Sequence, residues 1–141
     1  MIDIRDNPEM TRFGISNLKA FPNIWAGFLF VNLENNHPKF CLTTEEMMVF
    51  LESKVIFVNL HAKFCEVSED MCRFSTMREL PNNCDQVSGT VIIGSGDEKY
   101  VHKLSRMTTL FGTLTIRNTI LKDLNFLSSL IYIASLDGIY H

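Results

Sequence analysis

Several features are missing from this chain of 141 residues, and each absence removes a class of function. The apolar stretches near both ends are broken by Ser and Asp well before the about 18 residues that a bilayer-spanning helix needs, so no membrane span is expected. The opening Met1-Ile-Asp-Ile-Arg-Asp6 lacks the basic-then-apolar order of a secretory leader, and neither end carries a lipidation or retention signal. Positive charge is not in excess. With 13 Lys and Arg against 16 Asp and Glu the net charge is −3, which leaves no basic footprint for nucleic acid. No Asn-x-Ser/Thr glycosylation acceptor occurs.

Chemical motifs are equally scarce. Gly94-Ser-Gly-Asp-Glu-Lys99 is glycine-rich but lacks the Gly-Lys-Ser/Thr ending of a phosphate cradle, and reads as a surface loop. Asp97 would cap a helical turn carrying Tyr100, Val101 and Leu104. No nucleophile elbow surrounds any Ser. The pairs Glu45-Glu46 and Glu69-Asp70 are adjacent residues pointing in different directions, better suited to helix N-termini than to paired acid–base work. No catalytic residue, cofactor or bound metal is expected.

What is present is an internal repeat. Val87-Ser-Gly-Thr-Val91-Ile-Ile93 recurs 23 residues later as Leu110-Phe-Gly-Thr-Leu114-Thr-Ile116, and a weaker third copy starts at Ile133 and runs through 139. A period of this size with one short strand per copy predicts stacked windings of a parallel solenoid. Val91 and Ile93 would then lie on Leu114 and Ile116 inside. Thr90 and Ile92 would share the outer face with Thr113, Thr115 and Arg117. Gly89 and Gly112 are expected at the strand starts. Leu121, Leu124, Leu127 and Leu130, spaced by three, should line the interior.

The first half repeats less clearly. Ile2-x-Ile4 followed by Asp6-Asn7 is echoed 29 residues later by Val31-x-Leu33 and Asn35-Asn36, with residues 14–21 between them. Phe28, Phe30 and Asn32 would face outward there. Thr43-Thr-Glu-Glu46 is a capping box that should open a helix burying Met47, Phe50 and Leu51, with a strand over 55–60 after it. Residues 66–83 carry turn formers and read as a connection with one short helix around Met71 to Met77.

Four cysteines, at 41, 65, 72 and 84, leave three readings open. Two disulfides would imply an oxidising compartment. Zinc, with His61 or His37, lacks any Cys-x-x-Cys spacing, and buried free thiols would suit an intracellular chain.

The combination resembles receptor L domains, the ligand-binding modules of insulin-type and epidermal-growth-factor-type receptors, in particular their nematode-type members. Cys84-Asp-Gln-Val-x-Gly-Thr-Val-Ile-Ile resembles the opening strand of such a domain, and Gly112-Thr-Leu-Thr-Ile-Arg-Asn-Thr119 with Leu124-Asn-Phe-Leu127 resembles its next turn. Asp6-Asn-Pro8, Phe40-Cys-Leu42, Glu45-Glu46 and Asn59-Leu-His-Ala-Lys-Phe-Cys65 resemble a closing part. The resemblance implies a mostly β, right-handed parallel β-helix with short capping helices, in two partial domains. Residues 1–65 would end a first L domain, 66–83 would link and cap, and 84–141 would begin a second. It also implies disulfides 41–65 and 72–84, and a non-catalytic extracellular module, or the ectodomain of a membrane protein, that binds a peptide or protein through Phe28, Phe30, Asn32, Thr90, Ile92, Thr113, Thr115 and Arg117. A chain cut from a longer one would explain the missing leader, and its exposed solenoid ends would favour self-association. The alternatives are an intracellular leucine-rich-repeat-like scaffold with reduced cysteines, or a fragment without independent activity.

Overall fold

Residues 1–15 and 28–136 are described by the computed structural model of the chain. Parts of two expected repeat segments, 16–21 and 137–139, lie outside them. Ile2–Arg5 (β1), Phe30–Glu34 (β2) and Ile56–Leu60 (β4) form one sheet, and Cys41–Leu42 (β3) and Lys63–Phe64 (β5) a second. A third has the order Cys72–Arg73 (β6), Gln86–Ile93 (β7), Thr109–Ile116 (β8), Tyr132–Ala134 (β9). Every one of these pairings is parallel, and neighbours follow chain order. The fold is therefore mostly β, in small sheets that close no barrel among the described residues. It divides into two compact units, one built on Met1–Val67 and one comprising Ser68–Ser135.

In the second unit the 23-residue repeat is the strand register. Val91 pairs with Leu114 and Ile93 with Ile116, and the same offset carries Leu110 onto Ile133. Chain neighbours in a strand point to opposite faces, so matching apolar positions on successive strands fall into rows. Val87, Val91, Ile93 and Leu110 are fully buried, and with Met77, Leu80, Leu104 and Met107 they form the core. Each such side chain contributes about 1.5–3 kcal/mol relative to exposure.

Four local expectations are corrected. Gly89 and Gly112 lie in mid-strand, not at the strand starts, with φ of +122° and +151°, and they pair with each other. The segment around Met71 to Met77 forms no helix. Cys72 and Arg73 pair with Val87 and Ser88 as β6, and a turn follows, closed by the Leu80 amide donating to the Thr76 carbonyl at 3.0 Å. Of the four spaced leucines, Leu121, Leu127 and Leu130 pack on the core, whereas Leu124 is 55% exposed. Leu124 caps the 3-10 turn Asn125–Leu127, its carbonyl accepting from the Leu127 amide at 2.9 Å, while Asp123 accepts from the Asn125 amide at 3.0 Å. Asp97 does precede a 3-10 helix, Glu98–Leu104, but its carboxylate accepts from the Gly94 amide instead of capping that helix.

In the first unit β1 and β2 pair at the expected offset, Ile2 with Val31 and Ile4 with Leu33. Beyond the strands, Asp6 and Asn35 both take left-handed backbone, φ 59° and 50°, a conformation these short polar residues tolerate. Asn35 donates to the Asp6 carboxylate at 2.7 Å, and Asn7 donates to the Asn36 side chain at 3.0 Å. Helix α1, Thr44–Glu52, starts with the full capping box: Thr43 Oγ1 accepts from the Glu46 amide, and Glu46 Oε1 accepts from the Thr43 amide. It ends with the Lys54 amide on the Leu51 carbonyl and the Val55 amide on the Phe50 carbonyl, the paired bonds of a Schellman stop. Met47 and Phe50 are buried under it, and Phe50 meets the rings of Phe13 and Phe57 at 5.4 and 5.3 Å.

Candidate functional site

The residues expected to face a ligand fall on two outward strand faces, one in each unit. In the second unit Thr90 stands beside Thr113 and Ile92 beside Thr115. Thr90, Ile92 and Thr115 are exposed, and Thr113 is half-buried. Arg117 follows β8, its amide held by the Ile93 carbonyl at 3.0 Å, with an exposed side chain. Hydroxyls, an isolated apolar group at 40% exposure and a guanidinium thus share one face. A surface of that mixture can hydrogen-bond a peptide backbone while seating an apolar side chain.

In the first unit Phe28 and Phe30 are 67% and 41% exposed. Two residues that the sequence reading did not place there join them: Ile56, paired directly with Phe30, and Val58. They are 40% and 54% exposed, which makes a cluster of four apolar groups. Val58 has no partner on β2, because the register shifts between Val31 and Asn32, a bulge that adds one residue to β4. Strict alternation through Val55-Ile-Phe57-Val would have placed Ile56 and Val58 together on the outer face.

Asn32 behaves differently from its expected role. It lies on the outer face but is only 4% exposed, its side chain donating to Asp3 Oδ1 and accepting from Asn59 Nδ2, both at 2.9 Å. This is a row of two amides and a carboxylate across three strands, not a free contact group. Asn32→Ala strips the Asn59 amide of this acceptor and leaves Asp3 only its Arg5 contact at 3.4 Å, and is expected to cost about 1–3 kcal/mol. Urea unfolding that matches the parent midpoint would refute a structural role for the row.

Both disulfides are formed, Cys41–Cys65 and Cys72–Cys84, at 2.05 and 2.07 Å. No cysteine is left free, which removes the thiol ligands that a zinc site would need and the reduced-cysteine reading with them. Among the described residues no cluster of three His, Cys, Asp or Glu could hold a metal ion, and no helix is long and apolar enough to cross a membrane.

Electrostatics on the second unit are local. Glu98 accepts from the amides of Ile120 and Gly96 at 3.1 and 2.9 Å. Hydrogen bonding from its own backbone amide, then from Ile120, holds the carboxyl below the ordinary Glu value of 4.5, with partial desolvation opposing and the Gly96 amide assisting. A depressed folded-state pKa gives stabilisation that is present above the unfolded value and fades as pH falls through the folded one. The Ile120 amide resonance should therefore titrate with an inflection below pH 4.5. An NMR titration placing it at or above that value would refute the link.

Residues 83–140 match the family model described as Receptor L domain. No curated protein and no solved structure matches the chain. The matched segment contains β7, β8 and β9 and every outward residue assigned to the second unit. The likeness to the receptor L-domain family thus spans residues 83–140, the greater part of the second unit.

Proposed function

We propose that this chain is a non-catalytic extracellular module that binds a peptide or protein ligand on the outward faces of its parallel strands. The family is a non-enzymatic, ligand-binding one. The observation that carries the reading is the alignment of Thr90 with Thr113 and of Ile92 with Thr115, beside Arg117, inside the matched segment. Two closed disulfides suit an oxidising compartment. On this reading the successive parallel strands are windings of a right-handed β-solenoid. Residues 1–65 are closing windings of one L domain, 66–83 the link, and 84–141 opening windings of the next. The edge strand β9, with Ile133 at 48% exposure and Ile131 just before it at 67%, then favours self-association.

The test displays the whole chain on yeast against a panel of secreted peptides and proteins, with binding read by flow cytometry. Ile92→Glu with Arg117→Glu, and separately Phe30→Glu, should each reduce the signal of a specific binder about tenfold or more, the scale of losing a buried contact worth roughly 1.4 kcal/mol or above. Lys39→Glu, on an exposed turn, should leave it unchanged. Binding that survives both face variants, or no binder across the panel, counts against the proposal. A single sharp monomer peak in light scattering counts against self-association.

A further inference from the structure

Cys72 and Cys84 differ in ways that set the chemistry of their bond. Cys84 is a core residue, 2% exposed, among Met77, Leu80 and Val87. Cys72 is half-buried and lines two surface clefts. One, of about 540 Å³, is bounded by Glu69, Asp70, Arg73 and Pro81. The other, of about 380 Å³, is bounded by Asp70, Asn83, Asp85 and Gln86, with Cys84 also lining it at only 2% exposure. In the first unit's disulfide both sulfurs belong to buried residues, Cys41 at 8% and Cys65 at 9%. Among the four cysteines, Cys72 alone is not buried.

We propose that Cys72 is a thiol-modification site, taking small neutral or cationic thiols in preference to anionic ones. A thiolate RS⁻ attacks Cys72 Sγ, a new S–S bond forms there, and the Cys72–Cys84 bond breaks with its electron pair on Cys84 Sγ. That sulfur takes up the proton the incoming thiol released. The sum is one thiol plus one disulfide giving one mixed disulfide plus one thiol, with no further oxidant or reductant. Attack at Cys84 Sγ is disfavoured, since that residue is 2% exposed where Cys72 is half-buried.

Two features make the product persist. The Cys84 sulfur lies 3.3 Å from the Pro81 carbonyl oxygen, so a thiol there finds an acceptor at once, and an apolar site with a carbonyl dipole disfavours its thiolate. A protonated Cys84 is a poor nucleophile for reclosing the bond. Strand β6, paired with β7 through Cys72 and Arg73 and held by the Phe74 amide on the Ser88 carbonyl at 2.9 Å, loses its covalent tie in the same step. Charge sets the selectivity. Asp70 borders both clefts, Glu69 and Asp85 border one each, Arg73 offsets part of this in the first, and Arg106 reaches Asp85 at 3.7 Å. The balance remains negative, and an approaching carboxylate is repelled.

The test treats the whole chain with cysteamine or mercaptoacetate at matched thiolate concentration, quenches with acid, alkylates with N-ethylmaleimide and maps the peptides by tandem mass spectrometry. A small uncharged disulfide provides the reference ratio of the two thiols. One thiol adduct on Cys72, alkylation on Cys84 and an intact Cys41–Cys65 link are expected. Cysteamine should be favoured about two- to fivefold over the reference ratio at low salt, the preference fading at high salt. Asp70→Asn with Asp85→Asn should abolish the preference without moving the adduct. An adduct on Cys84, earlier opening of Cys41–Cys65, no accumulating adduct, or a ratio equal to the reference each overturns the proposal.

Discussion

Gly112→Ala should unfold the second unit under conditions that leave the parent folded. A methyl group at this position would collide with the carbonyl of Gly89 on the paired strand, a backbone group and not the end of a flexible side chain. Neither partner can move without breaking the ladder on both sides. The φ of +151° adds a second penalty, because L side chains rarely adopt it. Together these place the loss at about 4 kcal/mol or more, the range reserved for steric and backbone failure in a core. Gly96→Ala is the control. Its φ of +91° is also unfavourable, but nothing lies within 4 Å of the added carbon, so only the backbone term remains, about 1–3 kcal/mol. Chemical denaturation of both variants separates collision from conformation. Equal losses would mean that the contact between the two glycines does not matter.

In the first unit Phe50→Ala should cost about 3–5 kcal/mol, as for truncation of a fully buried aromatic. Phe50 is 0% exposed and touches two rings, one on β4 and one ahead of β2. It is thus the point where α1 is fastened to its strands. Phe30→Ala, on the outer face at 41% exposure, should change stability by no more than about 0.5 kcal/mol. Thermal melts followed by far-ultraviolet circular dichroism would measure the contrast, and a Phe50 loss as small as the Phe30 loss would refute the assigned packing.

The parallel registers were legible because the sequence states them twice. Gly-Thr recurs at the same place in two eight-residue strands, so the offset of 23 has one solution. Ile-x-Ile and Val-x-Leu with their trailing Asp and Asn residues did the same for 29. The α1 start was legible because a capping box is entirely local. The short strand β6 was not. Residues 66–83, rich in turn formers, suggested a connection with one short helix, whereas the tie from Cys72 to Cys84 goes with a strand alongside Val87. The bulge at Val58 has no local cue either, since one inserted residue becomes visible only against the neighbouring strand. On the candidate surface, alternation anticipated the exposure of Thr90, Ile92, Thr115 and Phe30. It could not show that Asn32 would be walled in by residues 29 positions before it and 27 after.

That amide row has a polarity. Asn59 gives its proton to Asn32, and Asn32 gives its own to Asp3. A carboxylate has lone pairs and nothing to donate, so the recipient at the far margin dictates which way round both amides must stand. Each bond in such a chain also polarises the next. An asparagine in place of Asp3 would leave the longer bond from Asn32 to the Glu34 carboxylate, 3.4 Å, as the sole acceptor-only partner holding both side chains in that sense.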